Sequence, residues 1–259
     1  MARAYYNEID PYAAQWLRNL IGAGHIAPGD VDERSIVDVR PDDLAGYTQC
    51  HFFAGIGGWS YAARLAGWPD HRPLWTGSCP CQPFSVASVA HRGPQGQGDS
   101  RHLWPAFFDI IRELKPPVVA GEQVADAIGW GWLDAAAGDL EGEGYAVASA
   151  VLPASGFGAR HHRKRLIWLA DAGSAGRQGH LEVERVPFRP CQEFPFYGDP
   201  LARASRALDG DFSDLLSSNG VPVAVERLAT KGYGNAIVPQ VAAEVIAAFL
   251  DVEREVICQ

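Results

Sequence analysis

The sequence lacks three features, and each absence excludes a class of protein. No apolar run approaches the roughly 18 residues that a membrane-spanning helix needs, and the polar first ten residues are not typical of a secretory signal. Cysteine is scarce, with five in 259 residues, which indicates a reducing cytoplasm and no disulfide framework. Positive charge is not in excess: the formal net charge of −9 argues against a protein that coats nucleic acid non-specifically.

What the sequence has is an ample apolar content and one local basic patch. Hydrophobic residues make up 47% of the chain, enough for one large domain with a buried core. The densest basic segment is Arg160–Arg165, and arginine, whose planar fork suits phosphates and base edges, supplies nearly all the positive charge. A solvated charged turn and a nucleic-acid contact are both compatible with such a segment.

Apolar periodicity alternates between strand and helix, which predicts an α/β fold with a mostly parallel sheet covered by helices on both faces. Ligands of such sheets bind beyond the carboxyl ends of the strands. The residues with chemical potential fall where predicted strands end: Glu8, Gly55, Cys81 and Glu122. Predicted strands cover 4–8, 25–32, 50–53, 74–78, 117–122, 145–152 and 166–170, and predicted helices 12–21, 59–66, 103–114, 133–141 and 239–250.

A glycine-rich turn follows the third predicted strand. Residues 53–58 read Phe-Ala-Gly-Ile-Gly-Gly, and glycines at such a turn allow positive φ and close approach of a ligand to the backbone. The turn has no P-loop lysine, which disfavours nucleotide hydrolysis. A tight structural turn and a cofactor site remain open as interpretations.

Cys81 and Glu122 are the candidate reactive groups. Cys81 lies in a Cys-Pro-Cys-Gln-Pro loop, where it is a candidate thiol nucleophile, an incidental buried thiol, or a zinc ligand together with Cys79, although this spacing is a poor zinc signature. Glu122 ends an apolar strand; it is either a solvated strand end or a carboxyl whose pKa a closed pocket would raise.

Five motifs in order resemble the DNA cytosine C5-methyltransferase family. They are Phe-Ala-Gly-Ile-Gly-Gly at 53–58, Pro-Cys-Gln at 80–82, Glu-Gln-Val at 122–124, His-His-Arg-Lys-Arg at 161–165 and Gly-Asn-Ala at 234–236. Each is weak alone, and their order and spacing make the resemblance specific. It implies a Rossmann-like fold that uses S-adenosylmethionine and yields S-adenosylhomocysteine, acts on double-stranded DNA, and needs no metal or membrane.

The resemblance also implies roles for residues. Cys81 would attack C6 of a flipped cytosine, Glu122 would hold the ring at N3 and the amine, and Arg163 and Arg165 would position the base and support the thiolate. The residues implied for the cofactor site are Phe53, Ala54, Gly55, Ile56, Gly57, Gly58, Glu8, Asp32, Pro80, Leu103 and Asn235.

The N-terminal part departs from the family's order. Two strands that end in cofactor-binding acids normally follow the glycine motif, but residues 59–79 are too few for a β-α-β unit of about 30 residues. Residues 1–49 contain such a unit, in which the resemblance implies that Glu8 holds the ribose and that Asp32, or alternatively Asp30, lies near the adenine. We therefore expect a circularly permuted cofactor half, the alternative being an unrelated extension.

Two motif residues also differ from the family. Gln123 replaces the usual Asn, and His161 replaces the usual Gln; we expect the chemistry to survive both changes.

The expected organisation is a catalytic domain over 1–170, a small target-recognition region over 171–220, and a return to the catalytic domain over 221–259. The short recognition region predicts a short DNA site, of two to four base pairs. A monomer in a prokaryotic or phage-infected cytoplasm is expected. Three other functions stay open: an RNA cytosine methyltransferase, a non-catalytic DNA-binding relative, and a folate-dependent enzyme acting on free dCMP.

Overall fold

Seven strands form a single sheet in the computed structural model of the protein, which describes residues 3–80, 103–157, 162–173 and 237–257. All of them belong to one unit made of residues 1–178 and 236–259. The strands are β1 (Ala4–Asn7), β2 (Gly29–Asp32), β3 (Gln49–Phe52), β4 (Leu74–Gly77), β5 (Val118–Val124), β6 (Ala146–Pro153) and β7 (Lys164–Asp171).

Five α-helices accompany the sheet in the described residues: α1 (Pro11–Gly22), α2 (Gly58–Leu65), α3 (Trp104–Leu114), α4 (Trp132–Gly142) and α5 (Pro239–Ile257). The start of α1 is confirmed as the sequence predicts it. The Asp10 side chain accepts a hydrogen bond from the backbone N–H of Tyr12 at 2.9 Å, and Pro11 occupies the first turn, where its missing N–H costs nothing.

The strand order across the sheet is β2-β1-β3-β4-β5-β7-β6. The first five strands in that order are mutually parallel, and β7 runs antiparallel to both of its neighbours. The predicted mostly parallel α/β fold is therefore confirmed. An ordinary doubly wound sheet has the order 3-2-1-4-5. Here the chain's third strand holds the first place, with β1 and β2 in the second and third.

The two faces of the sheet carry separate apolar clusters. On one face, Phe52 packs against Phe107 of α3, with ring centroids 5.0 Å apart, and the cluster continues through Trp104, Trp132 and Trp168. On the other face, α2 and α5 pack together over β4, β5 and β7. There α1 also covers β1, because Leu17 joins the cluster of Tyr6.

The crossover from β3 through α2 to β4 has the opposite hand to its neighbours. Both β1–α1–β2 and β4–α3–β5 connect parallel strands, toward opposite edges and on opposite faces, so they share one hand. The α2 crossover, from β3 to β4, runs toward the same edge of the sheet as the α3 crossover, from β4 to β5. However, α2 lies on the face that α1 covers: Ser60 Oγ of α2 is 2.9 Å from the hydroxyl of Tyr6, whose side chain packs against α1. Right-handed crossovers account for about 98% of cases, so α2 forms the rare kind.

Several element bounds differ from the prediction, among them those of β5, the second strand and the last helix. Glu122 lies inside β5, which continues to Val124 because Gln123 and Val124 pair with Leu166 and Arg165 of β7. The second strand begins only at Gly29. The last helix continues to Ile257, past the predicted end at 250, and Glu253 in this extension accepts a hydrogen bond from Arg72 Nη2 at 2.6 Å.

Candidate catalytic site

The carboxyl ends of five parallel strands meet along one edge of the sheet. Glu8 follows β1, Asp32 ends β2, residues 53–57 follow β3, and Ser78 follows β4. Glu122 lies one residue beyond Gly121, which pairs with Gly77 of β4. The topology thus brings the cofactor-site candidates and the candidate base-holding carboxyl to the same edge, as the sequence predicts.

The glycine loop has one packed side and one open side. Phe53, Gly55 and Gly57 all have positive φ, of 51°, 55° and 83°. A Cβ on Gly57 would lie 3.2 Å from Leu17 of α1, whereas a Cβ on Gly55 would meet nothing closer than 4.0 Å. Gly57 is therefore required for packing, and the space beside Gly55 is the room that a ligand approaching the backbone would use.

Glu8 is joined directly to this loop. Its Oε2 accepts a hydrogen bond from the Gly55 N–H at 2.7 Å, and its Oε1 accepts one from the Asp10 N–H at 2.9 Å. The strand pairing of β1 with β3 makes this contact possible, because the two strands end side by side. Each carboxylate oxygen retains an acceptor site, so the group can also accept hydrogen bonds from hydroxyls.

Asp32 is engaged by its own neighbours. Its Oδ2 accepts hydrogen bonds from the Tyr5 hydroxyl at 2.6 Å and from Arg34 Nη2 at 2.7 Å, while Oδ1 accepts from the Arg34 backbone N–H at 2.9 Å. Burial alone would raise its pKa, but the hydrogen bonds from Arg34 and Tyr5 prevail and lower the pKa of Asp32 to about 2. The structure thus gives Asp32 an internal ion pair that the sequence does not predict.

Two side chains hold the segment that leads from β4 to Cys81. Trp59 Nε1, in the first turn of α2, donates to Ser78 Oγ at 2.9 Å. Gln123 Nε2 donates to the Cys79 carbonyl at 3.3 Å, and Gln123 Oε1 accepts from the Val124 N–H at 2.9 Å. Cys81 itself lies outside the described residues.

Cys79 is buried, and burial raises the pKa of its thiol, so Cys79 is poorly suited to act as a thiolate.

Glu122 is buried against two arginines. Its Oε1 lies 2.7 Å from Arg165 Nε in an ion pair. Burial raises the pKa of Glu122, and the charges of Arg165 and Arg163 offset only part of that rise. A carboxyl in this setting is disposed to hold a proton and to donate it in a hydrogen bond.

The other predicted residues fall into two groups. Ala54 is buried against α1, Leu103 directly precedes α3 and packs with Phe53 on the core, and a Cβ on Gly58 would lie 2.7 Å from Ile237. Ile56 and Pro80 are half-buried on the loops of this edge. Asn235 and His161, like Cys81, lie outside the described residues, so the structure does not test their roles.

Sequence reasoning missed Trp59 and Ile9. Trp59 directly follows the glycine motif, which was the available signal for its contact with Ser78. Ile9 is 65% exposed although it is apolar and adjoins Glu8, a position that suits contact with a flat apolar ligand surface. Gln123 was noticed only as a departure from a motif, and its two hydrogen bonds give it a structural use.

Two absences hold for the part of the chain that the structure describes. No helix there is long and apolar enough to cross a membrane, and no group of three or more His, Cys, Asp or Glu side chains there could hold a metal ion.

Comparison with protein families gives one match, the C-5 cytosine-specific DNA methylase family, over residues 68–185. No curated protein matches the chain.

Among solved structures, the chain is similar to the Dnmt2 methyltransferase of S. pombe, with 14% identity, a TM-score of 0.40, and coverage of 66% of this chain and 51% of that one. It is also similar to a putative DNA modification methyltransferase from an E. coli prophage, with 16% identity, a TM-score of 0.40, and coverage of 67% and 47%. The chain thus spans about half the length of the solved structures it matches.

Proposed function

We propose that this chain, which belongs to the C-5 cytosine-specific DNA methylase family, transfers a methyl group from S-adenosylmethionine to C5 of cytosine in double-stranded DNA. The observation that carries the proposal is the setting of Glu122. It is a buried carboxyl with a raised pKa, beside Arg165, on a strand paired with the one that leads to Cys81.

The protein's residues would divide the chemistry between them. The Cys81 thiolate forms a bond to C6 of the cytosine, and Glu122 donates its proton to N3, so the electron pair that leaves the ring bond becomes available at C5. After C5 is methylated, a base removes the C5 proton, the C6–S bond breaks, Cys81 leaves as the thiolate, and N3 returns its proton to the Glu122 carboxylate. Arg163 and Arg165 stabilise the negative charge near the ring. The target base must leave the duplex to reach these groups.

At the same edge of the sheet, the residues that follow β1 and β3 are suited to S-adenosylmethionine. The open space beside Gly55, the adjoining Glu8 carboxylate and the exposed Ile9 are suited to a nucleoside with free ribose hydroxyls. When bound, this cofactor supplies the electrophilic methyl group. Phe53, Gly55 and Glu8 would hold it, with Pro80, Leu103 and Asn235 as further contacts that stay predictions.

The order of the strands supports a permuted cofactor half. The glycine-motif strand β3 holds the first place of the doubly wound order, and the acid-bearing strands β1 and β2 hold the second and third. In this chain the glycine-motif strand β3 comes after β1 and β2 in the sequence, so β3 must connect directly to β4. The opposite-handed crossover through α2 is the expected consequence.

Methyl transfer to defined substrates tests the function. We expect labelled S-adenosylmethionine to methylate duplex DNA, 5-methylcytosine to be the only modified nucleoside, and Cys81→Ala to abolish the product. Equal amounts of duplex DNA and structured RNA in one reaction separate the DNA enzyme from the RNA enzyme. No transfer to either substrate would favour the non-catalytic relative. Transfer from a folate to free dCMP would favour the third alternative.

Residues 171–220 would recognise the DNA target. Because this region is short, we expect a site of two to four base pairs, which bisulfite sequencing of DNA from expressing cells would read. A long, strictly specified site would contradict this part of the proposal.

A further inference from the structure

We infer that Trp59 and Gln123 are positioning residues that hold Ser78 and Cys79, the two residues that lead toward Pro80 and Cys81. The inference rests on the proposed function, because it concerns the loop that carries the proposed nucleophile. We use the term loop brace for two hydrogen bonds, Trp59 Nε1 to Ser78 Oγ at 2.9 Å and Gln123 Nε2 to the Cys79 carbonyl at 3.3 Å.

The loop brace holds two consecutive residues from two different elements. Trp59 belongs to α2, the helix that begins at the end of the glycine loop, and Gln123 belongs to β5, next to Glu122. Ser78 is therefore hydrogen-bonded to the helix that follows the glycine loop, and Cys79 is hydrogen-bonded to the strand that carries Glu122. Since Cys81 follows Cys79 by two residues in the sequence, we expect a loss of these hydrogen bonds to slow the step assigned to its thiol.

Burial makes both hydrogen bonds specific. Trp59 is 4% exposed and Gln123 1% exposed, so neither polar group has water as a ready alternative partner. Gln123 also uses its carbonyl, which accepts from the Val124 N–H at 2.9 Å, and this second bond fixes the direction of its amide. A buried amide with both ends bonded is a rigid support, and small shifts of a reacting atom slow catalysis steeply.

The extra methylene of Gln123 has a use in this geometry. The amide is only just within reach of the Cys79 carbonyl, so the shorter Asn side chain would lose that bond while staying near its own strand. We expect Gln123→Asn to slow the reaction about tenfold without abolishing it. Gln123→Met, which keeps the length and removes both polar atoms, would slow it further.

The test measures single-turnover methyl transfer together with the dissociation constants for duplex DNA and S-adenosylmethionine. We expect Trp59→Phe and Ser78→Ala each to slow transfer about tenfold, with both dissociation constants within about twofold of wild type. The double variant would be no slower than either single variant, because each change removes the same bond.

Two buried side chains away from the site provide matched controls. Trp68 Nε1 donates to the Arg72 carbonyl at 3.1 Å, and Gln49 Nε2 donates to the Pro69 carbonyl at 3.2 Å. Trp68→Phe and Gln49→Met remove bonds of the same kind, so they should lower stability and leave the transfer rate unchanged.

The outcomes are distinguishable. Wild-type rates in Trp59→Phe, Ser78→Ala and Gln123→Met would overturn the loop brace, as would rate losses in Trp59→Phe and Ser78→Ala that multiply in the double variant. Equal rate losses in the two control variants would also overturn it, because they would indicate a general loss of stability. Failure of the proposed function is separate: it would show as absent transfer in the wild type or as full activity in Cys81→Ala.

Discussion

The surroundings of Glu8 and Glu122 differ although both carboxyl groups lie at the same edge of the sheet. Glu8 is half-buried and accepts hydrogen bonds from two backbone N–H groups, those of Gly55 and Asp10. Glu122 is buried, and its Oε1 lies 2.7 Å from Arg165 Nε, a side-chain cation and not a backbone donor.

This difference shows how one residue type can perform two tasks. A carboxylate held by backbone donors stays an acceptor, which suits hydroxyl groups of a ligand. A carboxyl in a buried position has a raised pKa, which favours the protonated form that can donate to a ring nitrogen. Three predictions test this contrast, in order of expected effect, and a fourth concerns a buried histidine away from both carboxyl groups.

Glu122→Gln tests the proposed proton donation by the buried carboxyl group. We expect methyl transfer to fall by about 10²–10⁴-fold, because the amide keeps the volume and loses the transferable proton. Single-turnover kinetics with duplex DNA measures the loss, and thermal unfolding reports on the fold. A rate within threefold of wild type would contradict the role given to Glu122.

Glu8→Ala tests the carboxylate that is proposed to accept hydrogen bonds from the cofactor. The change removes the hydrogen bond to Gly55 and the site for ribose hydroxyls, so we expect about 10–100-fold weaker binding of S-adenosylmethionine. Isothermal titration calorimetry measures the affinity, with Glu33→Ala, an exposed acid paired with Arg18, as the control. Unchanged affinity in Glu8→Ala would count against both the site and the permuted order.

Gly58→Ala and Gly55→Ala separate packing from binding within the glycine motif. A Cβ at residue 58 would lie 2.7 Å from Ile237, so we expect the free energy of unfolding to fall by about 1–3 kcal/mol. A Cβ at residue 55 meets open space and only the strain of positive φ, so the main expected loss is in cofactor affinity. Chemical denaturation and calorimetry on both variants measure the two effects, and the reverse pattern would refute the assignment.

His51 gives the smallest effect and lies away from both carboxyl regions. It is buried between Tyr6 and Thr76, and burial lowers its pKa to about 3, with Asp70 offsetting this slightly. The unfolded state therefore binds a proton below about pH 6.5 that the folded state does not, and stability falls as pH falls, by at most about 1.4 kcal/mol per pH unit.

Urea unfolding between pH 7 and pH 4.5 measures this dependence. The His51→Gln variant should show a flatter profile than wild type over the same range. Parallel profiles for the two proteins would show that His51 does not contribute.

The sequence predicts the strand ends better than it predicts the side chains around them. Asp10 and Pro11 predict the start of α1 because a helix cap is a local interaction. The glycines after β3 predict the turn because its positive φ angles are also a local property. The strand that holds Glu122 is longer than predicted, since pairing with β7 extends it, and no local pattern records that pairing.

The candidate site shows the same division. The contact between Glu8 and Gly55 follows from the motif order, whereas the hydrogen bonds from Tyr5 to Asp32 and from Trp59 to Ser78 depend on which segments meet in space. Such contacts form only when the sheet has assembled. The hand of the α2 crossover is likewise a property of the whole sheet.

The most direct test of the central claim uses duplex DNA in which 5-fluorocytosine replaces the target cytosine. Fluorine at C5 cannot leave as a proton does, so the enzyme should remain attached to the DNA after methyl transfer. We predict a stable adduct that needs S-adenosylmethionine, maps to the peptide containing Cys81, and forms at least about 100-fold more slowly in Glu122→Gln. An adduct on another residue, or an adduct that forms equally fast in wild type and in Glu122→Gln, would contradict the proposal that Cys81 and Glu122 act on the same cytosine.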